Sequence, residues 1–393
     1  MRLEVETIRS DCRHYRGDKP CEQNRLCDGC AHYQPYEGRV LVVKIGALGD
    51  VIRTLCILPE IRRRYPNGQV TWVTSKAAAG FIGNHPMIDR VVVLDALSAA
   101  SLETERFDEM ICLDKEAGPC GLAMRADAAI KKGVGWSEHG TPVPLNTEAV
   151  GYFHLGMSDE LKFRGNRKGY PQLVYEAMGW AYNGERYELP LDQQASDAAR
   201  HDLESKGWRR DKPTLAIHMG AGRVFANKMW PADRVVGLLS ELRGRRDDLQ
   251  AVLLGGEDEL EAVRYTHAEL PWTIASPTDG DAQRFIAVID ACDVLFSGDT
   301  LAMHLAIARQ RGVVSYLGPT CEQEIDQFGL GEKLVASVPC APCYKRKCDR
   351  GDVCLSAIST SDAADAVLRV LADRLGGENP NSNEMPRRYR LAG

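Results

Sequence analysis

Four loops in this chain could carry chemistry, because each follows a short apolar run and precedes a helical pattern. The first loop, in "VVKIGALGDVIRTL", contains Gly46 and Gly49 and ends at Asp50. Glycine loops between a strand and a helix usually hold a phosphate on free backbone N–H groups. A carboxylate would repel that phosphate. Asp50 therefore favours a loop that positions a base, kept ionised by the helix N-terminus.

The other three loops lie in the second half of the chain and together supply the groups that a nucleoside diphosphate needs. "MGAGRVFANKMWP" puts cationic side chains beside a glycine turn, and "LLGGEDE" puts a carboxylate where it can accept ribose hydroxyls. "SGDTLAMHLA" enters a helix whose N-terminus can hold an anion. Each loop alone is also compatible with a solvated basic loop or a capped helix, and only the combination predicts the site. The predicted donor-side residues are Gly220, Arg223, Lys228, Glu257, Asp299, Thr300 and His304.

The elements that must position these loops alternate between strand and helix patterns, which predicts parallel sheets flanked by helices. The alternation runs twice, so we expect two doubly wound α/β halves facing a cleft, with ligands at the carboxyl ends of the strands. The section from residue 137 to 170 is rich in Gly, Asn and Pro and predicts long loops. In the closing amphipathic helix, Ser361 is the expected N-cap.

The predicted organisation has a small extension, two domains and a tail. Residues 1–38 form the cysteine-rich, metal-binding extension, residues 39–195 the N-terminal Rossmann-like domain, and residues 196–375 the C-terminal one. A cysteine-rich finger at 340–354 belongs to the C-terminal domain, and 376–393 is expected to be a disordered tail.

Bulk properties exclude several classes of function. The net charge of −6 argues against a nucleic-acid partner. The absence of a G-x-x-x-x-G-K-[ST] motif argues against an NTPase, and the first loop lacks the third glycine of a dinucleotide-binding loop. No apolar run has the length of a membrane span, and no signal peptide is recognisable, so the expected location is the cytoplasm. The basic end "PRRYRLAG" leaves open a peripheral contact with the inner-membrane surface.

Eight of the thirteen cysteines fall into two groups of four. In a reducing compartment such groups indicate metal ligands rather than disulfides, with plain reduced thiols as the alternative. We expect a structural metal at one or both groups, zinc being favoured for the first. The predicted metal ligands are Cys12, Cys21, Cys27, Cys30, Cys340, Cys343, Cys348 and Cys354.

From about Arg39 to the last helix, four segments in order resemble glycosyltransferase family 9, the heptosyltransferases. "VVKIGALGDVIRTLCILPEIRRRYPNGQVTWV" is similar to the opening strand, S/G-x-L-G-D loop and helix of that family. "MGAGRVFANKMWP" is similar to its P-G-A-x-x-x-x-K-x-W-P loop, and "SGDTLAMHLAIA" followed by "SYLGPT" to its D-[TS]-G-x-x-H-[LV]-A-A-A and G-P-T segments. "CAPCYKRKCDRGDVCLSAIS" is similar to its C-x-x-C-[YF]-x-[KR]-x-C segment.

The resemblance implies a GT-B fold and an inverting transfer of heptose from ADP-heptose to an acceptor, without a catalytic metal. Carried over to this chain, Asp50 is the general base and Lys228 steadies the departing diphosphate. Asp299, Thr300 and the helix behind them contact the donor with His304 nearby, and Glu257 matches the ribose-binding position. Similar four-cysteine fingers in autotransporter heptosyltransferases hold iron, which makes iron an alternative to zinc at the second cysteine group.

Two departures from the family pattern bear on the substrates. Leu301 stands where the family has a glycine, and "CLDKEAGPCGLAMR" stands where lipopolysaccharide enzymes often have D-x-Q-G. The family resemblance implies a lipopolysaccharide core or a related surface glycan as acceptor, and the cysteine finger favours a protein Ser or Thr hydroxyl as the alternative. The sequence is also compatible with a UDP- or GDP-sugar transferase and with a non-catalytic metal-binding scaffold.

Overall fold

Two sheets, one in each half of the chain, form the framework of the protein. The computed structural model describes residues 8–220, 228–276, 279–346, 348, 350, 353–376 and 387–389. The first sheet consists of β1 (Arg39–Val43), β2 (Gln69–Thr74), β3 (Arg90–Val93), β4 (Arg106–Cys112), β5 (Asp127–Trp136) and β6 (Pro142–Pro144). Its spatial order is β3-β2-β1-β4-β5-β6, with parallel pairing except between β5 and β6.

The second sheet repeats this order and adds one strand, β13, at one edge. It consists of β7 (Thr214–His218), β8 (Gln250–Leu254), β9 (Ile274–Ala275), β10 (Val294–Ser297), β11 (Gly312–Leu317), β12 (Gly331–Ala336) and β13 (Arg387–Tyr389). The described strands pair in parallel in the order β13-β12-β11-β10-β7-β8-β9. In each sheet the first strand lies between the second and the fourth, which is the doubly wound arrangement predicted from the sequence.

Helices flank both sheets, and none of the described ones is long and apolar enough to cross a membrane. Those of the first half are α1 (Leu48–Thr54), α2 (Leu58–Arg64), α3 (Lys76–Ile82), α4 (Ala96–Leu102), α5 (Ala117–Arg125), α6 (Ala149–Leu155) and α7 (Tyr170–Ala177). Those of the second half are α8 (Gln193–Ser205), α9 (Ala232–Arg245), α10 (Leu260–Glu269), α11 (Ala282–Asp290), α12 (Leu301–Ala308), α13 (Val353–Ser356) and α14 (Thr360–Arg374). Short 3-10 turns cover Leu55–Ile57, Glu257–Glu259 and Glu322–Glu324, and a π-helical turn covers Leu161–Gly165.

The central strands are buried because helices cover both faces of a parallel sheet. Val40–Val43 of β1 have no exposed surface, and Trp72 of β2 is equally enclosed. One continuous apolar cluster includes Leu55 next to α1 and Leu305 of α12. Apolar packing therefore runs from the first half into the second, directly beneath the facing loops.

The segment that joins α7 to α8 is held by both halves. Its Leu189 N–H donates to the carbonyl of Ala308, 3.3 Å away, and the Leu189 carbonyl accepts from the Arg309 guanidinium at 2.5 Å. His85 Nε2, from the first half, lies 3.2 Å from the Glu188 carbonyl oxygen. Hydrogen bonds to both halves therefore hold this connection in place.

Two sequence predictions in the middle of the chain need correction. The sequence predicts long loops for 137–170, but this section contains β6, α6 and the π-helical turn, because short amphipathic elements with Gly and Pro lack a long periodic signal. The predicted boundary between residues 195 and 196 falls inside α8, which begins after its N-cap Asp192 and packs on α11. The two halves therefore divide before Asp192.

Two predictions near the C-terminus also differ from the structure. Ser359, not Ser361, caps α14, since its hydroxyl accepts the Asp362 N–H at 3.0 Å, while Ser361 donates to Glu241. Within the predicted disordered tail, Arg387–Tyr389 pair with β12, whose edge offers free backbone groups to another strand.

Gly133 of β5 lets this strand approach β4 closely, which gives a test of the first sheet. Its φ is +92°, and an added Cβ would lie 2.0 Å from the Cys112 carbonyl oxygen. We expect Gly133→Ala to lower the free energy of unfolding by more than about 2 kcal/mol, because it adds a backbone clash to the unfavourable φ.

Gly140→Ala is the matched control for this change. Gly140 also has a positive φ, +76°, but an added Cβ would meet nothing within 4 Å. Gly140→Ala should lower the free energy of unfolding by only about 1 kcal/mol, measured by chemical denaturation. Equal losses in the two variants would show that the contact between β4 and β5 is not the source of the effect.

Candidate active site

A cleft of about 620 Å³ lies between the two halves. It is lined by the loop after β1 in the first sheet and by the loops after β7, β10 and β11 in the second. The strands β1, β7 and β10 lie where the strand order reverses, and ligands of doubly wound sheets bind there. Of the predicted residues, those that line the cleft are Gly49, Asp50, Lys228, Asp299, Thr300 and His304.

A buried ion pair holds the loop after β1 in place. Lys44 Nζ lies 2.6 Å from Asp114 Oδ1, and the same carboxylate accepts the backbone N–H groups of Ile45 and Gly46. Burial lowers the pKa of Lys44, but Asp114, Asp50 and Tyr152 together raise it by more, so the net pKa is above the usual value. A Cβ on Gly46 would lie 2.7 Å from Asp114 Oδ1, so this position requires glycine. Sequence reasoning missed Asp114, although it follows β4 at the strand order reversal.

Asp50 lies in the first turn of α1, with its side chain 37% exposed to the cleft. Its Oδ1 is 2.8 Å from the Arg53 guanidinium. Burial raises the pKa of Asp50, but Arg53, Lys44 and His304 lower it further than burial raises it. The net pKa is below the usual value, so the carboxylate is ionised at neutral pH.

Arg53 is a cleft residue that sequence reasoning missed. Its guanidinium carbon lies 3.8 Å from the ring centroid of Tyr170, whose hydroxyl is 2.7 Å from Thr54 Oγ1. This packing leaves the Arg53 side chain only 16% exposed and fixes it against Asp50. The i, i+3 spacing of the two residues on α1 was the available sequence signal.

The opposite wall carries a second ion pair. Lys228 Nζ lies 3.0 Å from Asp299 Oδ2. Burial raises the pKa of Asp299, but Lys228 and His304 lower it to a net value below the usual one. Thr300, the N-cap of α12, has its hydroxyl 2.9 Å from Ser297 Oγ and makes no side-chain cap to the helix. A cation, an anion and uncapped backbone N–H groups therefore lie side by side.

His304 connects the two walls. Its Nδ1 lies 3.1 Å from the Tyr187 hydroxyl, and its Nε2 lies 3.9 Å from Asp299 Oδ1. Burial and the nearby Arg53 lower its pKa to about 4, so the imidazole is neutral at pH 7. A Cβ on Gly49 would lie 2.8 Å from His304 Cδ2. Glycine at this position is what allows α1 to contact α12.

Two of the described donor-side residues that the sequence predicts, Gly220 and Glu257, do not line the cleft. Glu257 is exposed at the start of its 3-10 turn, and Glu259 takes the inner position instead. The Glu259 carboxylate accepts the Gly256 N–H at 2.8 Å and lies against Gly220. The 3-10 turn places the third acidic residue, not the first, over the strand ends, and the ribose-binding role of Glu257 stays a prediction. Arg223 lies outside the described residues.

Two solved structures share this arrangement of two facing sheets. The glycosyl transferase family 9 protein from Veillonella parvula superposes with a TM-score of 0.68 at 18% identity, covering 86% of this chain and 99% of that one. The ADP-heptose lps heptosyltransferase II of E. coli superposes with a TM-score of 0.62 at 14% identity, with the same coverage. At these identities the likeness shows the fold alone, and it confirms the GT-B fold class.

The sequence comparisons point to one enzyme class. The model of glycosyltransferase family 9 (heptosyltransferase) matches residues 168–353. The lipopolysaccharide heptosyltransferase 1 of Pseudomonas aeruginosa is 27% identical over 330 residues, which cover 79% of this chain and 87% of that protein. The chain is a glycosyltransferase similar to those of family 9. Its two-walled cleft is therefore the place to look for the groups that transfer a sugar.

In this glycosyltransferase the cysteine finger reaches the cleft through Tyr344. The Tyr344 ring stacks on Phe163 of the π-helical turn with centroids 5.6 Å apart, and Lys162 Nζ lies 3.8 Å from its centroid. Cys354 belongs to the same finger, and burial together with the neighbouring thiols of the group raises its pKa to about 11. Sequence spacing alone could not show that this segment contributes to the cleft wall.

The predicted metal sites remain predictions. Across the described parts of the chain, no three His, Cys, Asp or Glu groups converge as the ligands of a single ion must. The thiols of the C-terminal group influence one another's charge, which shows that they share one neighbourhood. The N-terminal thiols line a common cavity.

Gly49→Ala tests the close approach of α1 to α12. The added methyl would push against His304 and move α1, with Asp50, away from the opposite wall by up to about 1 Å. We expect glycosyl transfer to fall by at least about tenfold, since a shift of this size costs up to about 100-fold in rate. Gly118→Ala on α5 is the control, because an added Cβ there meets nothing within 4 Å. A wild-type rate in Gly49→Ala would contradict the requirement for this contact.

The pKa of His304 predicts acid sensitivity of the fold. An unfolded histidine takes up a proton near pH 6.5, while folded His304 does so only near pH 4. Between these values the unfolded state binds more protons, so stability falls as the pH falls. We expect about 2 kcal/mol of loss from this residue between pH 7 and pH 5. Chemical denaturation at both pH values should show that His304→Gln loses about 2 kcal/mol less stability than wild type between pH 7 and pH 5. An equal loss in both proteins would rule out His304 as its source.

Proposed function

We propose that this enzyme transfers a heptosyl residue from ADP-heptose to an acceptor hydroxyl, with inversion, in the assembly of a lipopolysaccharide core. The observation that carries the proposal is an ionised carboxylate, Asp50, on one wall of a cleft whose other wall holds Lys228, Asp299 and His304. A heptosyltransferase name on the curated relative and the donor named for the E. coli structure support the choice of sugar and nucleotide.

In the proposed reaction Asp50 is the general base. Its Oδ1 is engaged by Arg53, which leaves Oδ2 for the acceptor hydroxyl. The acceptor oxygen bonds to the anomeric carbon as the bond from that carbon to the diphosphate breaks, ADP leaves with the electron pair, and the hydroxyl proton passes to Asp50. Because Arg53 keeps the pKa of Asp50 low, the base is weak but ready, and it loses its proton to water after each turnover.

The wall of the second half would bind the donor. Lys228 can neutralise charge that grows on the diphosphate, and the uncapped first turn of α12 behind Thr300 offers backbone N–H groups to the same phosphates. Gly220 and Arg223 belong to the loop after β7 and would complete this side. Lys228 is paired with Asp299, so the donor phosphates would share the cation with that carboxylate.

His304 would donate a hydrogen bond in the cleft. The buried Tyr187 hydroxyl has a raised pKa, so it keeps its proton and can donate to Nδ1 of His304. That arrangement puts the imidazole proton on Nε2, on the side of Asp299. A neutral donor suits a sugar hydroxyl better than a cation would.

The experiment compares wild type with Asp50→Asn, using ADP-heptose and lipopolysaccharide from cells that lack heptose. We expect wild type to add the mass of one heptosyl residue and release ADP, and Asp50→Asn to lose about 10²- to 10⁴-fold in kcat with little change in the KM for donor. Asp159→Asn, an exposed change outside the cleft, is the matched control.

Three outcomes would count against parts of this proposal. Full turnover by Asp50→Asn would remove the base assignment. Tighter competition by UDP or GDP than by ADP would remove the adenine nucleotide. Transfer to protein hydroxyls with none to lipopolysaccharide would replace the acceptor.

A further inference from the structure

The N-terminal extension, residues 8–38, is folded without an apolar core. In this fully described stretch no residue is buried, and its apolar side chains point outward: Leu26 is 86% exposed and Ile8 is 48% exposed. An ordered segment of this length needs some other source of cohesion, because burial of apolar surface is the usual one and is missing here.

Four thiols take the place of that core. Cys12, Cys21, Cys27 and Cys30 all line one cavity of about 440 Å³ inside the extension. Each of them begins a tight turn: their carbonyls accept, in this order, the N–H groups of Tyr15 (2.9 Å), Asn24 (2.8 Å), Cys30 (3.2 Å) and Tyr33 (3.4 Å). The chain therefore reverses at each cysteine and wraps the thiols round a shared space.

The surroundings of this cavity suit a large anionic occupant. Four cations, Arg9, Arg16, Lys19 and Arg25, and one carboxylate, Asp28, line it together with the thiols, and Arg16 is also paired with Glu22. Four thiolates carry four negative charges. A metal centre that does not neutralise all four needs cationic neighbours of this kind. The space is also many times the roughly 30 Å³ that one water molecule occupies.

We propose that these four thiolates ligate a polynuclear iron–sulfur cluster. A single zinc ion requires four sulfur atoms at about 2.3 Å from one point. Here all four thiols line one open cavity, but no three ligand groups of the described chain converge as those of a single ion must, and ligation by four cysteine thiolates is the usual mode for polynuclear clusters. This site is separate from the C-terminal cysteine group and does not depend on the proposed sugar transfer.

The position of the extension assigns the cluster a structural role. The Glu37 N–H donates to the Asn67 carbonyl at 3.1 Å, and the Arg13 guanidinium donates to the same carbonyl at 3.5 Å. Asn67 precedes β2, so the extension sits at the amino-terminal ends of β1 and β2, whereas Asp50 follows the carboxyl end of β1. β1 alone separates the two by about 16 Å. The cluster therefore fastens the extension to the sheet and takes no part in the reaction.

The test is iron and acid-labile sulfide analysis of the full chain purified without oxygen, with the visible absorption and electron paramagnetic resonance spectra. We expect wild type to hold about four iron and four sulfide per chain at this site. Cys21→Ser should lose this iron and sulfide, lower the Tm, and keep the kcat of wild type within about twofold, because the site lies away from the cleft. Cys343→Ser and the buried Cys292→Ala are controls that should keep the cluster.

Several results would overturn the assignment. If wild type holds one equivalent of zinc and no sulfide, and Cys21→Ser loses that zinc, the site is mononuclear. Iron that disappears in Cys343→Ser but not in Cys21→Ser would place the cluster elsewhere. If wild type contains no metal and Cys21→Ser has the same Tm as wild type, the four cysteines are only thiols. Should Cys21→Ser not accumulate as folded protein, the Mössbauer spectrum of iron-enriched wild type and Cys343→Ser decides, since mononuclear iron alone would equally refute the cluster.

Discussion

Helix α1 can reach helix α12 only because Gly49 has no side chain where His304 lies against it, and the cleft depends on that approach. The approach puts two cations and two anions, Arg53 with Asp50 and Lys228 with Asp299, on facing walls. A charge taken out of water without a partner costs several kcal/mol, so each wall has to carry its own pair. A diphosphate entering such a site must exchange one ion pair for another rather than fill an empty positive pocket.

The site shows where sequence reasoning succeeds and where it stops. Asp50, Asp299 and His304 could be predicted because each lies at the end of a strand or in the first turns of the helix that follows, and strand ends in doubly wound sheets converge. The burial of Glu259 rather than Glu257 could not be predicted, since a 3-10 turn decides which of three neighbouring acidic residues faces inward. Tyr344 had no local signal, because only the tertiary fold brings the cysteine finger to the first half.

The fold was predictable to a similar depth, for a physical reason. Strands buried on both faces read as apolar runs, and long amphipathic helices have a period, so both sheets were visible in the sequence. Elements of three to seven residues, such as β6 and α6, carry too few positions for a period. Capping is decided by single hydrogen bonds, and two serines two residues apart, Ser359 and Ser361, are equivalent until the backbone geometry chooses one.

The hydrogen-bonded connection between α7 and α8 limits how the two halves can move. Because the backbone at Leu189 is tied to Ala308 and Arg309, and Glu188 lies against His85, the halves cannot slide past each other without breaking bonds at the connection. The motion that remains is a rotation about this connection, a hinge whose largest excursion falls at the far lip of the cleft. A rotation of this kind opens the cleft while leaving the hydrogen bonds of the connection in place, so access to the groups on the two walls can change without any change in the joint itself.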